Sequence, residues 1–190
     1  MAAIPKEKPR RIDQARAEFA RYKADVKARG KPFYPYAMWH DTVMLYGHVE
    51  TYEERVDHLL RLRDQQDKTR GFLSFIPLAF HPENTVFERR GFRFTTGADD
   101  LKVIAVSRLL LDNVPHVKAY WIMMGLPLAQ VALHFGADDV QGTVVREKIF
   151  QAAGASAGTE QKVAELVRFV RDAGRTPVQR DSLYNELRRW

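Results

Sequence analysis

From residue 42 onward, apolar positions come alternately in short continuous runs and at helical spacing. TVMLYGH, residues 42–48, is a compact apolar run rich in β-formers, which predicts a buried strand in a parallel sheet. In the next segment Thr51 and Glu54 have capping-box spacing, and Val56, Leu59, Leu60 and Arg63 mark one face. That predicts an amphipathic helix over 51–68, ended by Gly71. FLSFIPLAF (72–80) reads as a second strand, followed by a loop through HPENTVFERRGFRFTTG. LKVIAVSRLLLDN (101–113) is apolar around much of its girth, so it predicts a well-buried helix, stopped by Asn113 and Pro115. HVKAYWIMM (116–124) predicts a third strand, and LPLAQVALHF (126–135) a short helix with Leu128, Val131, Ala132 and Phe135 on one face. GADDVQG (136–142) reads as a short strand or turn. Thr143 caps VVREKIFQAAG, and GASAG is a hinge. TEQKVAELVRFVRDAG (159–174) predicts a last helix with Val163, Leu166, Val167 and Val170 inward, and the tail from Arg175 carries a weaker helical turn.

Strands alternating with helices make βαβ units and a parallel sheet. Four such units are half of an eight-fold barrel or a small open α/β sheet. Residues 1–41 differ in texture. Ala15, Phe19, Tyr22 and Val26 form a narrow helical stripe that Asp13 could cap, and Pro32 and Pro35 then sit among aromatics in a linker. The predicted organisation is a basic leader over 1–41 and one domain over 42–190.

Composition narrows the function classes. The 190 residues are 45% apolar, enough for a core, and include no cysteine, which excludes disulfides, thiol nucleophiles and Cys-held metal or iron–sulfur sites within this chain. Ten Lys/Arg against four Asp/Glu lie in residues 1–31, and the remainder holds twenty of each, so the formal charge of +6 is N-terminal. A nucleic-acid footprint across the body is therefore not indicated. No run approaches the length of a membrane span and no secretory h-region follows the basic start. A cytoplasmic protein is the expectation.

In a parallel barrel, chemistry gathers just past the C-terminal ends of the strands. That rule selects Tyr46, His48 and Glu50 after the first strand, and His81, Glu83, Asn84 and Thr85 after the second. It also selects Lys118, Tyr120, Trp121 and Met123 at the third, and Asp138, Asp139, Gln141 and Thr143 at the last. Each has a plain structural reading beside the functional one. GHVE suits a strand exit leading into a cap, HPENT suits an ordinary turn, and Trp121 and its neighbouring methionines suit core packing. The Asp138–Asp139 pair reads more simply as a loop feature than as a metal site. HExxH, Walker, GxGxxG and GxSxG motifs are absent.

Taken together, MLYGHVET, GFLSFIPLAFHPENT, PHVKAYWIMMG, QVALHFGADDVQGTVVREKI and AGRTPVQRDSLYN resemble the C-terminal half of the aminofutalosine synthase family, over about residues 42–187. These are the radical-SAM enzymes of the futalosine route to menaquinone. LAFHPENT favours the synthase over the related dehypoxanthine futalosine cyclase, whose strand exit typically carries a Trp. The resemblance implies the C-terminal half of a radical-SAM (β/α) TIM-type barrel with four βα units and C-terminal helices. It implies S-adenosyl-L-methionine and a [4Fe–4S] cluster as cofactors of the full-length enzyme. There a 5′-deoxyadenosyl radical adds to the enolpyruvyl double bond of 3-[(1-carboxyvinyl)oxy]benzoate, and loss of CO2 gives aminofutalosine. His48, Glu50, His81 and Glu83 become catalytic candidates, Pro77, Asn84 and Thr85 SAM contacts, and Lys118 and Tyr120 substrate contacts. The cluster's CxxxCxxC half has no counterpart here, so the chain is expected to be a fragment, inactive alone. The expected partner is a separate N-terminal half-barrel, or a second copy joined through exposed strand edges. The competing expectations are a non-catalytic half-barrel module, the related cyclase, and, ranked below these, an anionic-surface binder through residues 1–31.

Overall fold

The computed structural model describes residues 41–142 and 161–190, all within the compact unit Ala37–Trp190. Four strands, β1 (Asp41–Tyr46), β2 (Ser74–Ala79), β3 (His116–Ala119) and β4 (Asp139–Val140), form one parallel sheet in sequential order. Helix α1 (Tyr52–Thr69) connects β1 to β2, and α2 (Gly97–Leu110) connects β2 to β3. Two short helices, α3 (Trp121–Met124) and α4 (Leu126–Ala132), lead to β4. Helix α5 (Val163–Asp172) precedes an antiparallel hairpin of β5 (Val178–Arg180) and β6 (Glu186–Arg189). Sequential parallel strands with intervening helices are the arrangement of half a (β/α)8 barrel.

Period-two alternation decides which side of the sheet is buried. Met44 and Tyr46 of β1 are each 1% exposed and pack toward the helices, whereas Val43 and Leu45 on the other face are 44% and 54% exposed. The register pairs Asp41 with Ser74 through Tyr46 with Ala79, so Ile76 and Leu78 share the face of Val43 and Leu45. The core is the layer between the sheet and its helices, with Leu59, Phe75, Val103, Ile104, Leu111 and Val117 at its centre. The opposite face, which would line a barrel, carries the polar groups described below.

Local sequence accounts for the element ends. The Thr51–Glu54 capping box is present in both directions, with the Glu54 amide donating to Thr51 Oγ1 at 3.2 Å and the Thr51 amide to Glu54 Oε2 at 2.8 Å. The left-handed residue that ends α1 is Arg70, not Gly71, and its amide reaches back to the Gln66 carbonyl. Gln66 is buried at this end, exchanging hydrogen bonds with the Phe72 backbone and donating to the Asn113 carbonyl, which fastens α1 to the approaches of β2 and β3. Thr96 caps α2, so that helix starts four residues before the predicted apolar segment.

Three expectations are corrected. The stretch 116–124 is not one strand: β3 ends at Ala119, and Trp121–Met124 turns into a helix whose amides return to the Tyr120 carbonyl. An apolar run of this length fits a buried helix turn as well as a strand, and Trp121, 2% exposed, donates Nε1–H to the Gln141 carbonyl at 2.7 Å. Helix α2, expected to be well buried, buries the face of Asp100, Val103, Ile104 and Ser107 and leaves Leu109 78% exposed. The tail forms the β5–β6 hairpin instead of a helical turn, with Asp181 accepting from the Leu183 and Asn185 amides and Tyr184 in the left-handed region. The predicted leader helix, residues 31–40 of the predicted 31–41 linker, Thr143 with its helix, and the GASAG hinge lie outside the described residues, and Asp41, the last linker residue, opens β1.

Candidate functional site

The exits of β1 and β2 lie side by side, because Tyr46 pairs with Ala79 and the Phe80 amide donates to the Tyr46 carbonyl at 2.7 Å. This brings His48 and His81 to the same end of the sheet. The His48 ring is enclosed by phenylalanines, with ring centroids 4.4 Å from Phe80, 4.4 Å from Phe87 and 5.8 Å from Phe92. His81 meets the Phe94 ring edge-on at 4.9 Å, and its Nε2 lies 3.5 Å from Glu83 Oε2. The rim is thus aromatic with two imidazoles and a carboxylate set into it. A cavity of about 210 Å³ opens beside it, walled by Phe80, His81, Phe94, the α2 N-terminus at Gly97, and Met123 and Met124.

Glu50 faces its own loop. Its Oε1 accepts from the Gly47 amide at 2.5 Å and its Oε2 from the His48 amide at 3.0 Å. Arg55 Nε donates to Oε1 at 2.9 Å, and Arg55 Nη1 donates to Asp99 Oδ2 at 2.9 Å. Partial burial pushes the Glu50 carboxyl up, but these amide and guanidinium donors outweigh it and hold it below its ordinary value of 4.5. Burial likewise opposes the Arg55 charge, and Asp99 and Glu50 more than compensate. Gly47 is at φ +80, and a Cβ there would lie 2.2 Å from Thr95 Cγ2, so the exit admits only glycine.

HPENT is a tight turn. Asn84 takes a left-handed conformation (φ 60), and its amide donates to Glu88 Oε2 at 2.9 Å. Thr85 Oγ1 donates to the Pro82 carbonyl at 2.5 Å and accepts from the Phe87 amide at 3.1 Å. Pro77 stands apart: it pairs with Met44 on the helix-facing side and is buried there. Tyr120 stands at the junction of β3 and α3.

Lys118 belongs to a second centre on the barrel-facing side. It is 4% exposed, with Nζ 3.3 Å from Asp41 Oδ2 and 3.6 Å from Asp139 Oδ2. Asp139 is also bound by Arg180 Nη2 at 2.5 Å and by the Tyr184 hydroxyl at 2.8 Å. Ser74 Oγ hydrogen-bonds the other oxygen of Asp41. Tyr184 lies flat between Arg180, 3.8 Å from its centroid, and His116, stacked at 4.0 Å. Asp138 accepts from Arg108, from the Val117 amide, and lies 2.8 Å from His116 Nδ1. Beside this network a cavity of about 360 Å³ is lined by Lys118, Gln141, Arg180, Trp190 and the Val163–Leu166–Val167–Val170 stripe of α5. The stripe expected to pack inward therefore faces a cavity along β4.

Pattern reading did not find Arg55, Asp99, Asp41, Arg180 or Tyr184. The contacts that assemble them cross long stretches of chain, such as 44 residues for Arg55–Asp99 and 41 for Arg180–Asp139. Among the described residues, no three His, Asp or Glu side chains come together in a way that could hold a metal ion.

The family model for the CofH/MqnC C-terminal region matches residues 69–190. The chain belongs to the CofH/MqnC C-terminal family. Aminodeoxyfutalosine synthase of Thermus thermophilus is 51% identical over 152 residues, covering 79% of this chain and 41% of the relative. Aminodeoxyfutalosine synthase of Streptomyces coelicolor is 48% identical over 157 residues, covering 77% and 40%. The 5-amino-6-(D-ribitylamino)uracil–L-tyrosine 4-hydroxyphenyl transferase of Methanothermobacter thermautotrophicus is 46% identical over 148 residues, covering 76% and 40%. This CofH/MqnC-type chain therefore spans about 40% of the length of the curated relatives it matches.

Proposed function

We propose that the chain supplies the reactant-facing half of an aminodeoxyfutalosine synthase of the radical-SAM type. The observation that carries this reading is 51% identity to the Thermus synthase over 152 residues. The two imidazoles, Glu83 and the aromatic rim occupy the strand ends where barrel enzymes hold their reactants. In this reading His48, His81 and Glu83 face the reacting groups, flat rings and turn amides at Phe80 and Asn84–Thr85 border the nucleoside of SAM, and Tyr120 borders the substrate.

The [4Fe–4S] cluster does not fit this chain, because three thiolate ligands are required and the sequence holds none. No reaction step through the cluster is assigned to these residues. The chain's part is to bind, orient and keep water from the reactants, and the partner is an N-terminal half-barrel carrying the cysteines. That partner would cover Val43, Leu45, Ile76 and Leu78 and pair the edge of β1 that has no strand partner among the described residues.

The test is complementation. The chain, reconstituted alone with iron and sulfide, is expected to show no cluster absorbance and to release no 5′-deoxyadenosine from SAM. Co-expressed with the N-terminal portion of the Thermus synthase, it is expected to co-purify and to yield aminofutalosine from the enolpyruvyl benzoate substrate. A stable complex with an intact cluster that turns over tyrosine and the ribityl uracil instead would transfer the chain to the archaeal transferase class. A stoichiometric cluster on the chain alone would overturn the division of labour.

A further inference from the structure

We infer that Glu50, Arg55 and Asp99 form a positioning clamp that aims His48, and that Glu50 itself touches no reactant. The inference deepens the proposed function, since it rests on His48 facing the reacting groups. Both Glu50 oxygens are already taken by the amides of Gly47 and His48, at 2.5 and 3.0 Å. Oε1 also accepts from Arg55 Nε at 2.9 Å, so three of the roughly four acceptor sites of the carboxylate are filled from within the chain. The three charged side chains are shielded, with exposures of 19% for Glu50, 11% for Arg55 and 15% for Asp99. Arg55 also lies over the rings of Tyr46 and Tyr52 at 5.2 and 4.9 Å, and the Tyr52 hydroxyl donates to Asp99 at 2.9 Å.

The clamp therefore joins three elements: the β1 exit, the first turn of α1 and the first turn of α2. What it fixes is a two-residue stretch of backbone, Gly47–His48, whose side chain enters the Phe80–Phe87–Phe92 enclosure. A carboxylate is required because both atoms facing these amides must accept. An amide in its place would turn an N–H2 toward one of them. A guanidinium is required because one group must serve two carboxylates at once, which the fork geometry allows and a single ammonium does poorly.

The experiment is ring NMR of the full chain labelled on histidine, with the His48 signals assigned by their loss in His48→Gln. Phenylalanine ring currents should displace the His48 carbon-bound protons from the positions of exposed His134. Glu50→Gln is expected to move them at least half-way back, and Arg55→Lys part of the way. Thr51→Ala, which weakens the adjoining helix cap but leaves the carboxylate in place, is expected to leave them unmoved. His48 signals that stay in place in folded Glu50→Gln, or that move as far in Thr51→Ala, would overturn the clamp. A wild-type measurement stands in if a variant fails to fold: the Gly47 and His48 amides should exchange at least about tenfold slower than free amides. Unprotected amides overturn the clamp equally. Neither result touches the complementation test, so the clamp and the proposed function fail separately.

Discussion

At the residue scale, the same kind of charge pair has very different weight in different surroundings. Asp139 is 12% exposed and meets Lys118, Arg180 and Tyr184, whereas the Arg61–Asp57 pair on α1 is 61% and 59% exposed. Removing one member of a buried network leaves its partners desolvated and uncompensated. Asp139→Ala is therefore expected to lower stability to urea by about 3 kcal/mol, while Asp57→Ala changes it by less than about 0.5 kcal/mol. Equal effects would show that the Asp139 network is solvated. Glu50 adds a pH dependence. Its folded-state carboxyl sits below the ordinary 4.5, so its contribution is present above that value and is lost as pH falls further, through the folded-state value. Wild-type stability should drop below pH 4.5 more steeply than that of Glu50→Gln, measured as melting temperature against pH. Parallel curves would remove Glu50 from the account.

At the element scale, caps and turns were legible wherever the determining residues are neighbours. The Thr51–Glu54 box could be found because both halves lie within one helical turn, and Thr51→Ala should cost about 1 kcal/mol in urea unfolding, with Thr51→Ser close to neutral. The HPENT turn and the strand exits at His48 and His81 were legible for the same reason. The end of β3 was not, because AYWIMM is apolar throughout and carries no periodicity to separate strand from helix. The C-terminal hairpin was not legible either. Its strands, Val178–Arg180 and Glu186–Arg189, are short and mostly charged, and what docks the hairpin is Arg180 and Tyr184 on Asp139, a contact across 41 and 45 positions. The ion pairs of Lys118 with Asp41 and Asp139 were not legible for the same reason, since both partners come from other strands.

At the scale of the whole molecule, the unsatisfied feature is the barrel-facing side of β1 and β2. Val43 and Leu45, in the middle of β1, are 44% and 54% exposed, and β1 is the edge strand of the sheet, paired on one side only among the described residues. An apolar face beside an open strand edge favours association with whatever supplies a matching face. The full chain without an N-terminal half is therefore expected to self-associate, with an apparent mass in light scattering that rises with concentration. Leu45→Glu should shift it toward monomer and leave the melting temperature nearly unchanged, since an exposed substitution away from the core moves stability by only about ±0.5 kcal/mol. The same substitution should abolish co-purification with the N-terminal portion of the synthase, because one surface serves both associations. If Leu45→Glu dissociates the self-associated form but leaves the complex with the N-terminal portion intact, the two halves do not meet at this face, and the half-barrel account of their pairing is wrong. If it unfolds the chain, Leu45 belongs to a core that the exposed face of β1 does not suggest.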